Sequence, residues 1–172
     1  MVQNKGKPIE RGNLLARELQ EMPDHSNDVT RATELKLGPF IFDKIESPRA
    51  FVIVDRGPYE LDNGAIYHGQ WTEDGHREGK GTQIWIDGSK YVGYWKNDQA
   101  NGKGRLIHAD GDVYEGEWYN DKAQGRGTYE HVDGAKYIGD WKEDRQHGYG
   151  IETWPDNARY EGNYELDKKH NI

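Results

Sequence analysis

One short pattern returns along this chain at almost constant spacing and limits what it can fold into more than any other feature. Tyr-x-Gly-x-Trp occurs at Tyr67-Gly69-Trp71, Tyr91-Gly93-Trp95, Tyr114-Gly116-Trp118 and Tyr137-Gly139-Trp141, and a fifth copy, Tyr160-Gly162-Tyr164, ends in tyrosine. Successive tyrosines lie 24, 23, 23 and 23 residues apart. Self-similarity at such a period marks a stacked repeat, in which each unit buries its face against the next.

Each unit reads as a hairpin. Asn63-Gly64, Asp87-Gly88, Asp110-Gly111, Asp133-Gly134 and Asp156-Asn157 stand between alternating segments. Such dipeptides suit a two-residue type I′ turn, which needs positive φ at both central residues. Along a strand, side chains alternate, so Tyr114, Gly116 and Trp118 share one face while Glu115 and Glu117 take the other. A two-residue turn at Asp110-Gly111 sets Ile107 opposite Tyr114, and one at Asp87-Gly88 sets Ile84 opposite Tyr91. The Gly-x-Gly pairs Gly79/Gly81, Gly102/Gly104, Gly125/Gly127 and Gly148/Gly150 suit close backbone approach or bending. The expected fold is all-β: an elongated twisted ribbon of stacked antiparallel β-hairpins, with an N-terminal extension containing one short helix. Five two-stranded units at the usual strand spacing extend roughly 45–50 Å.

Composition explains how so polar a chain can fold. Only 33% of residues are hydrophobic and mean hydropathy is −1.12, yet there are six Trp and eleven Tyr. Large amphipathic rings can hold a thin structure together while their polar tips stay in water. There is no cysteine, so neither a disulfide framework nor a thiolate zinc site is available. No apolar run is long enough to span a bilayer, and residues 1–22 lack the apolar stretch of a secretory signal. The net charge of −8 falls entirely on residues 57–172, because Lys/Arg and Asp/Glu balance over residues 1–56. An acidic array repels nucleic acid and anionic lipid, so no nucleic-acid partner is expected, membrane lipid is disfavoured, and protein partners suit it better.

Upstream of the repeats the signals are local. Residues 1–33 read as a flexible arm with a docking helix over about 14–22, capped by Asn13, carrying Leu15, Leu19 and Met22 on one face and stopping before Pro23. So short a helix is not stable alone, and it forms by docking on the repeats or on a partner. Asp24 to Thr33 reads as a polar connector. Residues 34–56 read as an extended capping segment: Leu35-Lys36-Leu37 and Phe40-Ile41-Phe42 flank a turn at Gly38-Pro39, and Phe51-Val52-Ile53-Val54 suits a strand. A hydrophobic docking site for a partner is the rival reading of that segment. The array itself occupies 57–172.

The units, Tyr-x-Gly-x-Trp followed by Gly-x-Gly and then Asp-Gly, resemble MORN repeats over about residues 57–172. One departure is consistent: where MORN units usually carry glycine three residues after the tryptophan, this chain has Asp74, Asp98, Asp121, Asp144 and Asp167. The first unit also has one extra residue near Gly75-His76. The resemblance implies a non-enzymatic scaffold mediating protein–protein interactions, of the kind found in cytoskeletal or axonemal assemblies, with the radial-spoke head as the preferred example. It implies a cytoplasmic, cytoskeletal location, in particular the cilium or axoneme. The alternatives it leaves are a peripheral membrane tether for phosphoinositides and a targeting module of a larger enzyme.

Signals for chemistry are weak. Gly79-Lys80-Gly81-Thr82 lacks the spacing of a phosphate loop, the seven His are scattered, and no serine sits in a nucleophile elbow. No catalytic residue, metal ligand or cofactor is assigned. Asp87, Asp110, Asp133 and Asp156 recur at the repeat period, as do Asp98, Asp121, Asp144 and Asp167, but calcium needs six to eight oxygens and turn chemistry accounts for the first set. Candidate partner-binding residues are the rings Tyr91, Trp95, Tyr114, Trp118, Tyr137 and Trp141, the helix residues Leu15, Leu19 and Met22, and the non-repeating Trp85 and Trp154, read as solvent-side in their strands. Homodimerisation through the ends or edge of the ribbon is a further expectation.

Overall fold

The computed structural model describes residues 17–42 and 52–170. In chain order these form β1 (Arg17–Glu18), α1 (Asp28–Leu37), β2 (Ile53–Glu60), β3 (Ile66–Thr72), β4 (Arg77–Ile84), β5 (Lys90–Lys96), β6 (Gln99–Ile107), β7 (Val113–Tyr119), β8 (Lys122–Glu130), β9 (Lys136–Lys142), β10 (Arg145–Thr153), β11 (Arg159–Glu165) and β12 (Lys168–His170). The 12 strands make one sheet in sequence order, so each pairs with its chain neighbours and the sheet stays open. The all-β hairpin ribbon with one short helix is what the repeat pattern calls for.

The turns correct the sequence reading. At Asp87-Gly88 the Gly88 N–H donates to Trp85 O at 2.9 Å and the Trp85 N–H to Ser89 O at 2.9 Å, which closes a three-residue loop. Only its glycine is left-handed (φ +93), and the same holds for Gly64, Gly111 and Gly134, with Asn157 (φ 68) taking that place in the fifth loop. A type I turn followed by one left-handed residue is the usual three-residue hairpin. The preceding Asp or Asn accepts a hydrogen bond from the N–H two residues on, as Asp87 does from Ser89 at 3.0 Å and Asp133 from Ala135 at 2.9 Å. The turns with two positive-φ residues lie instead between units, at Asn97-Asp98, Asn120-Asp121, Glu143-Asp144 and Leu166-Asp167.

That extra loop residue moves the register by one. Tyr114 lies opposite Leu106, not Ile107, and Tyr91 lies opposite Gln83, not Ile84. A slip of one residue exchanges the two faces of a strand. Gln83, Leu106, Tyr129 and Glu152 therefore point inward, and all four are buried.

The extension is also rearranged. Helix 14–22 does not form over its described part: Arg17 and Glu18 pair with Glu60 and Tyr59, and the Leu19 N–H donates to Pro58 O at 2.6 Å. Docking on the edge of β2 gives this backbone partners that a nine-residue helix could not secure alone. The helix lies further on, over Asp28–Leu37, so Leu35-Lys36-Leu37 is helical and not extended. Its cause is local. Asn27 caps it, accepting the Thr30 N–H at 2.8 Å while Thr30 Oγ1 accepts the Asn27 N–H at 3.1 Å, and left-handed Gly38 ends it. Glu34 then pairs with Lys90 at 2.7 Å, and Phe42 meets Tyr94 edge-on at 5.3 Å, so the segment lies across the outer face of the sheet.

Candidate functional site

The inner face is built from a row of glycines. Gly69, Gly81, Gly93, Gly104, Gly116, Gly127, Gly139, Gly150 and Gly162 stand opposite one another across successive strands. Each unit's tyrosine folds over this row. A Cβ on Gly104 would come closer than 3.0 Å to the Tyr91 ring, and one on Gly127 to the Tyr114 ring. With the ring laid flat, each hydroxyl donates to the carbonyl three residues on: Tyr91 to Tyr94 O at 2.9 Å, Tyr114 to Glu117 O at 2.8 Å, Tyr137 to Asp140 O at 2.7 Å.

The tryptophans lock neighbouring units together. Trp95, Trp118 and Trp141 donate their indole N–H to Gly81, Gly104 and Gly127 carbonyls at 3.0–3.1 Å. Tyr91 stands edge-on to Trp95 of its own unit (5.1 Å) and to Trp118 of the next (5.4 Å), and Tyr114 repeats this with Trp118 and Trp141. Edge-to-face rings at this separation are the favoured arrangement. The six candidate rings Tyr91, Trp95, Tyr114, Trp118, Tyr137 and Trp141 are at most 4% exposed, so their surface is spent on packing the array. Burial pushes the Tyr91, Tyr114 and Tyr137 hydroxyls above their ordinary pKa.

Between units, the aspartates that stand in place of glycine act as brackets. Asp98, Asp121, Asp144 and Asp167 accept the N–H of Arg77, Ala100, Ala123 and Gln146 at 2.7–2.8 Å, and each returns its own N–H to the same residue's carbonyl. Both aspartate series are thus engaged with backbone amides. Among the described residues no cluster of His, Cys, Asp and Glu is arranged to hold a metal ion.

Buried polar groups gather at the two ends of this row. Arg77, fully buried, donates from Nη2 to Asp98 O at 2.8 Å and from Nη1 to Gln83 Oε1, and stacks on Trp95 at 4.5 Å. At the other end, buried Glu152 accepts the Tyr164 hydroxyl at 2.8 Å, and Lys169 Nζ lies 3.8 Å from its Oε1. Lys169 also lies 4.8 Å from the Trp154 ring and 5.3 Å from Tyr160. Sequence reasoning named neither Glu152 nor Lys169. The break in the repeat at Tyr164, where tryptophan is replaced, was the signal beside them.

The remaining candidates are placed apart. Trp85 and Trp154 follow their strands instead of lying within them; Trp85 is buried, which corrects its solvent-side reading, whereas Trp154 is half-buried. Leu19 is partly buried beside β2, Met22 is exposed, and Leu15 lies outside the described residues. The outer face carries ion pairs, Arg105–Glu115 at 2.7 Å and Arg126–Asp140 at 3.1 Å, around exposed Ile138 and Tyr149. Arg105 also donates to Gly38 O at 2.7 Å, so the first part of this face is covered by the chain's own extension.

Comparison with curated protein sequences finds no match. Among solved structures, the TCP domain of SAS-4 (dCPAP) from Drosophila melanogaster, in complex with a proline-rich motif of Ana2 (dSTIL), aligns with 12% identity and a TM-score of 0.28 over 63% of this chain and 71% of that one. The family model described as MORN repeat matches four consecutive stretches, residues 67–90, 91–113, 114–136 and 137–159, just over half of the chain. MORN repeats are non-catalytic modules that mediate protein or lipid interactions. With the glycine row, the folded tyrosines and the interlocking tryptophans recurring at that same period, the chain belongs to the MORN-repeat family.

Proposed function

We propose that this protein is a non-enzymatic adaptor that joins protein partners within a cytoskeletal or axonemal assembly, of the radial-spoke kind. The observation that carries the reading is the burial of the inner aromatic face. With these rings at most 4% exposed, the inner face is closed to a partner, so among the described residues the array offers its outer face. Twelve strands bonded in sequence order form a stiff spacer about 50 Å long, a shape suited to setting the distance between partners. Charge favours protein over membrane: the repeats carry the whole net charge of −8, so attraction to anionic lipid does not accumulate.

Fractionation of the source cells tests this. Non-ionic detergent followed by high salt is applied, and the protein is followed by immunoblot. Retention in the detergent-insoluble pellet is expected, with crosslinking then naming the neighbours. Release by detergent alone would refute the cytoskeletal reading and favour a membrane tether.

A further inference from the structure

The middle of the array departs from its own repeat at one place. The residue after the left-handed loop position is Ala65, Ser89, Ala135 or Ala158 in four of the units. In the third it is Asp112, which is 1% exposed. His108 and His131 likewise stand where the other units carry Leu61, Trp85 and Trp154. A buried carboxylate is costly unless its oxygens are satisfied. Those of Asp112 accept the Tyr129 hydroxyl at 2.9 Å, the Val132 N–H at 3.0 Å and His131 Nδ1 at 3.1 Å. Because the carboxylate only accepts, the hydrogen-bond network assigns the imidazole proton to Nδ1 and leaves the lone pair on Nε2. No hydrogen bond to a described residue engages that nitrogen. The His131 side chain is 13% exposed and lines a crevice of about 210 Å³ between α1 and the loop that joins β8 to β9. The walls of this crevice are apolar at Leu37, Val113 and Val132 and charged at Lys36 and Glu130.

We propose that this crevice is a docking site for an arginine side chain carried on an apolar segment of a partner protein. The inference rests on the adaptor reading and names the chemistry of one partner. The open groups select a donor, since His131 Nε2 and the Glu130 carboxylate both accept hydrogen bonds. The charges select a cation: Asp112 beneath the ring and Glu130 beside it outweigh Lys36, in an array that carries the whole net charge of −8. A guanidinium meets both demands. Its fork of N–H donors can serve two acceptors at once, while its flat faces and methylene stem lie against Leu37, Val113 and Val132. Lysine, a point charge on a flexible stem, matches that arrangement less well. An arginine seated in a pocket is also one of the usual energetic centres of an interface. The apolar flank follows from what surrounds the crevice. Val132 and Val29, which both approach Gly111, are 68% and 44% exposed, and apolar neighbours of the arginine would cover them. Asp112 is a positioning residue in this account: it holds the imidazole in the tautomer that accepts.

The test uses the full chain, isotopically labelled for NMR, and three blocked tripeptides: Leu-Arg-Leu, Leu-citrulline-Leu and Leu-Glu-Leu. Leu-Arg-Leu at millimolar concentration should give saturable shifts in the His131 ring nitrogens and in the amides of Leu37, Val132 and Gly134. Citrulline keeps the shape of arginine without its charge and should bind about tenfold more weakly. Glu130→Gln, a change at the surface, should weaken Leu-Arg-Leu by about the same factor while leaving the melting temperature in place. Acidification until His131 takes up a second proton, followed in the same ring signals, should release the peptide, because Nε2 then donates. Asp112, Tyr129, Glu130 and Lys36 are the titratable groups that face that ring and are followed with it. Absence of shifts around His131, equal binding of the arginine and citrulline peptides, or binding that survives protonation of His131 would overturn the proposal. Preferential binding of Leu-Glu-Leu would overturn it in favour of an acidic partner held by Lys36. Shifts that grow with protein concentration alone would show that a second copy fills the crevice, and would also overturn it. Each of these outcomes leaves the fractionation result to judge the adaptor reading.

Discussion

Gly104→Ala is a small change with a large expected cost. The backbone at Gly104 is not left-handed, so alanine has no conformational objection there. Taken alone, the stiffer unfolded chain would stabilise the protein by about 0.4–1 kcal/mol. The new methyl, however, falls closer than 3.0 Å to the Tyr91 hydroxyl and ring. Tyr91 is fully buried and cannot move without leaving its hydrogen bond to Tyr94 O (2.9 Å) and its edge contacts with Trp95 and Trp118 (5.1 and 5.4 Å). Overpacking costs about 1–3 kcal/mol, the hydrogen bond about 1, and disturbed ring geometry about 1 more. The net expectation is a loss of about 3 kcal/mol, read as a fall in the urea midpoint of about 1–2 M. The decisive comparison is the same substitution in a Tyr91→Leu background, where no ring folds over the glycine. There it should cost less than about 1 kcal/mol. Gly134→Ala serves as a contrast, because its Cβ meets only Pro155, at 3.6 Å, and its penalty comes from φ +101 alone. Equal losses for Gly104→Ala in the two backgrounds would refute the account of the glycine row.

Other consequences follow from the same packing. Asp144→Ala should destabilise by about 2 kcal/mol, because it removes the carboxylate that accepts the Ala123 N–H at 2.7 Å while keeping a side chain at φ 68; Asp144→Gly, which relieves the backbone, should cost about 1 kcal/mol less in the same denaturation assay. Tyr67, Tyr91, Tyr114, Tyr137 and Tyr164 all have hydroxyls pushed up by burial, so the stability they contribute is complete below about pH 10, the unfolded value, and falls as pH rises beyond it, by about 1.4 kcal/mol per pH unit for each. The share of tyrosinate absorbance that belongs to these five buried rings should therefore appear together with loss of near-UV circular dichroism; their ionisation with that signal intact would contradict this. His76 is raised above the ordinary histidine value by its hydrogen bond to Asp98, 2.7 Å away. Its pair is present below the unfolded pKa and weakens as pH rises through the folded one, so NMR titration should find His76 protonated to higher pH than in Asp98→Asn.

The architecture was legible because stacking repeats its demands: one aromatic motif at constant spacing fixes antiparallel units in chain order. Register was not legible, since Asp-Gly serves both a two-residue turn and a three-residue loop, and the choice depends on whether the Asp carboxylate reaches the N–H two residues on, as Asp87 does to Ser89. That ambiguity of one residue misplaced Ile107 and Ile84 and made Trp85 look solvent-facing. The helix was missed for a related reason. Its apolar face is weak, and what fixes it is the Asn27–Thr30 cap and the bonds from Asn27 Nδ2 to Asp87 O and Ala109 O, 60 and 82 residues away. Long-range contacts of that kind leave no periodic mark in a sequence.

Where an array repeats, it cannot distinguish one partner from another. The inward position after each inter-unit turn shows this directly. Ala100 and Ala123 occupy it in the middle, small and fully buried, and either unit could stand for the other. Towards the ends the same position holds Arg77, Gln146 and Lys169. Arg77 turns inward and is consumed by Gln83, Asp98 and Trp95. Lys169 instead rests on half-buried rings beside a buried carboxylate. Charge placed at a position built for alanine is costly to bury and is retained only where paired. Arg77 finds its partners inside the array, whereas the Lys169 amino group lies 3.8 Å from Glu152 Oε1 on a side chain that stays part-exposed. The aromatic interior supplies the rigidity of the array, and one unit differs from the next at positions such as Arg77, Gln146 and Lys169.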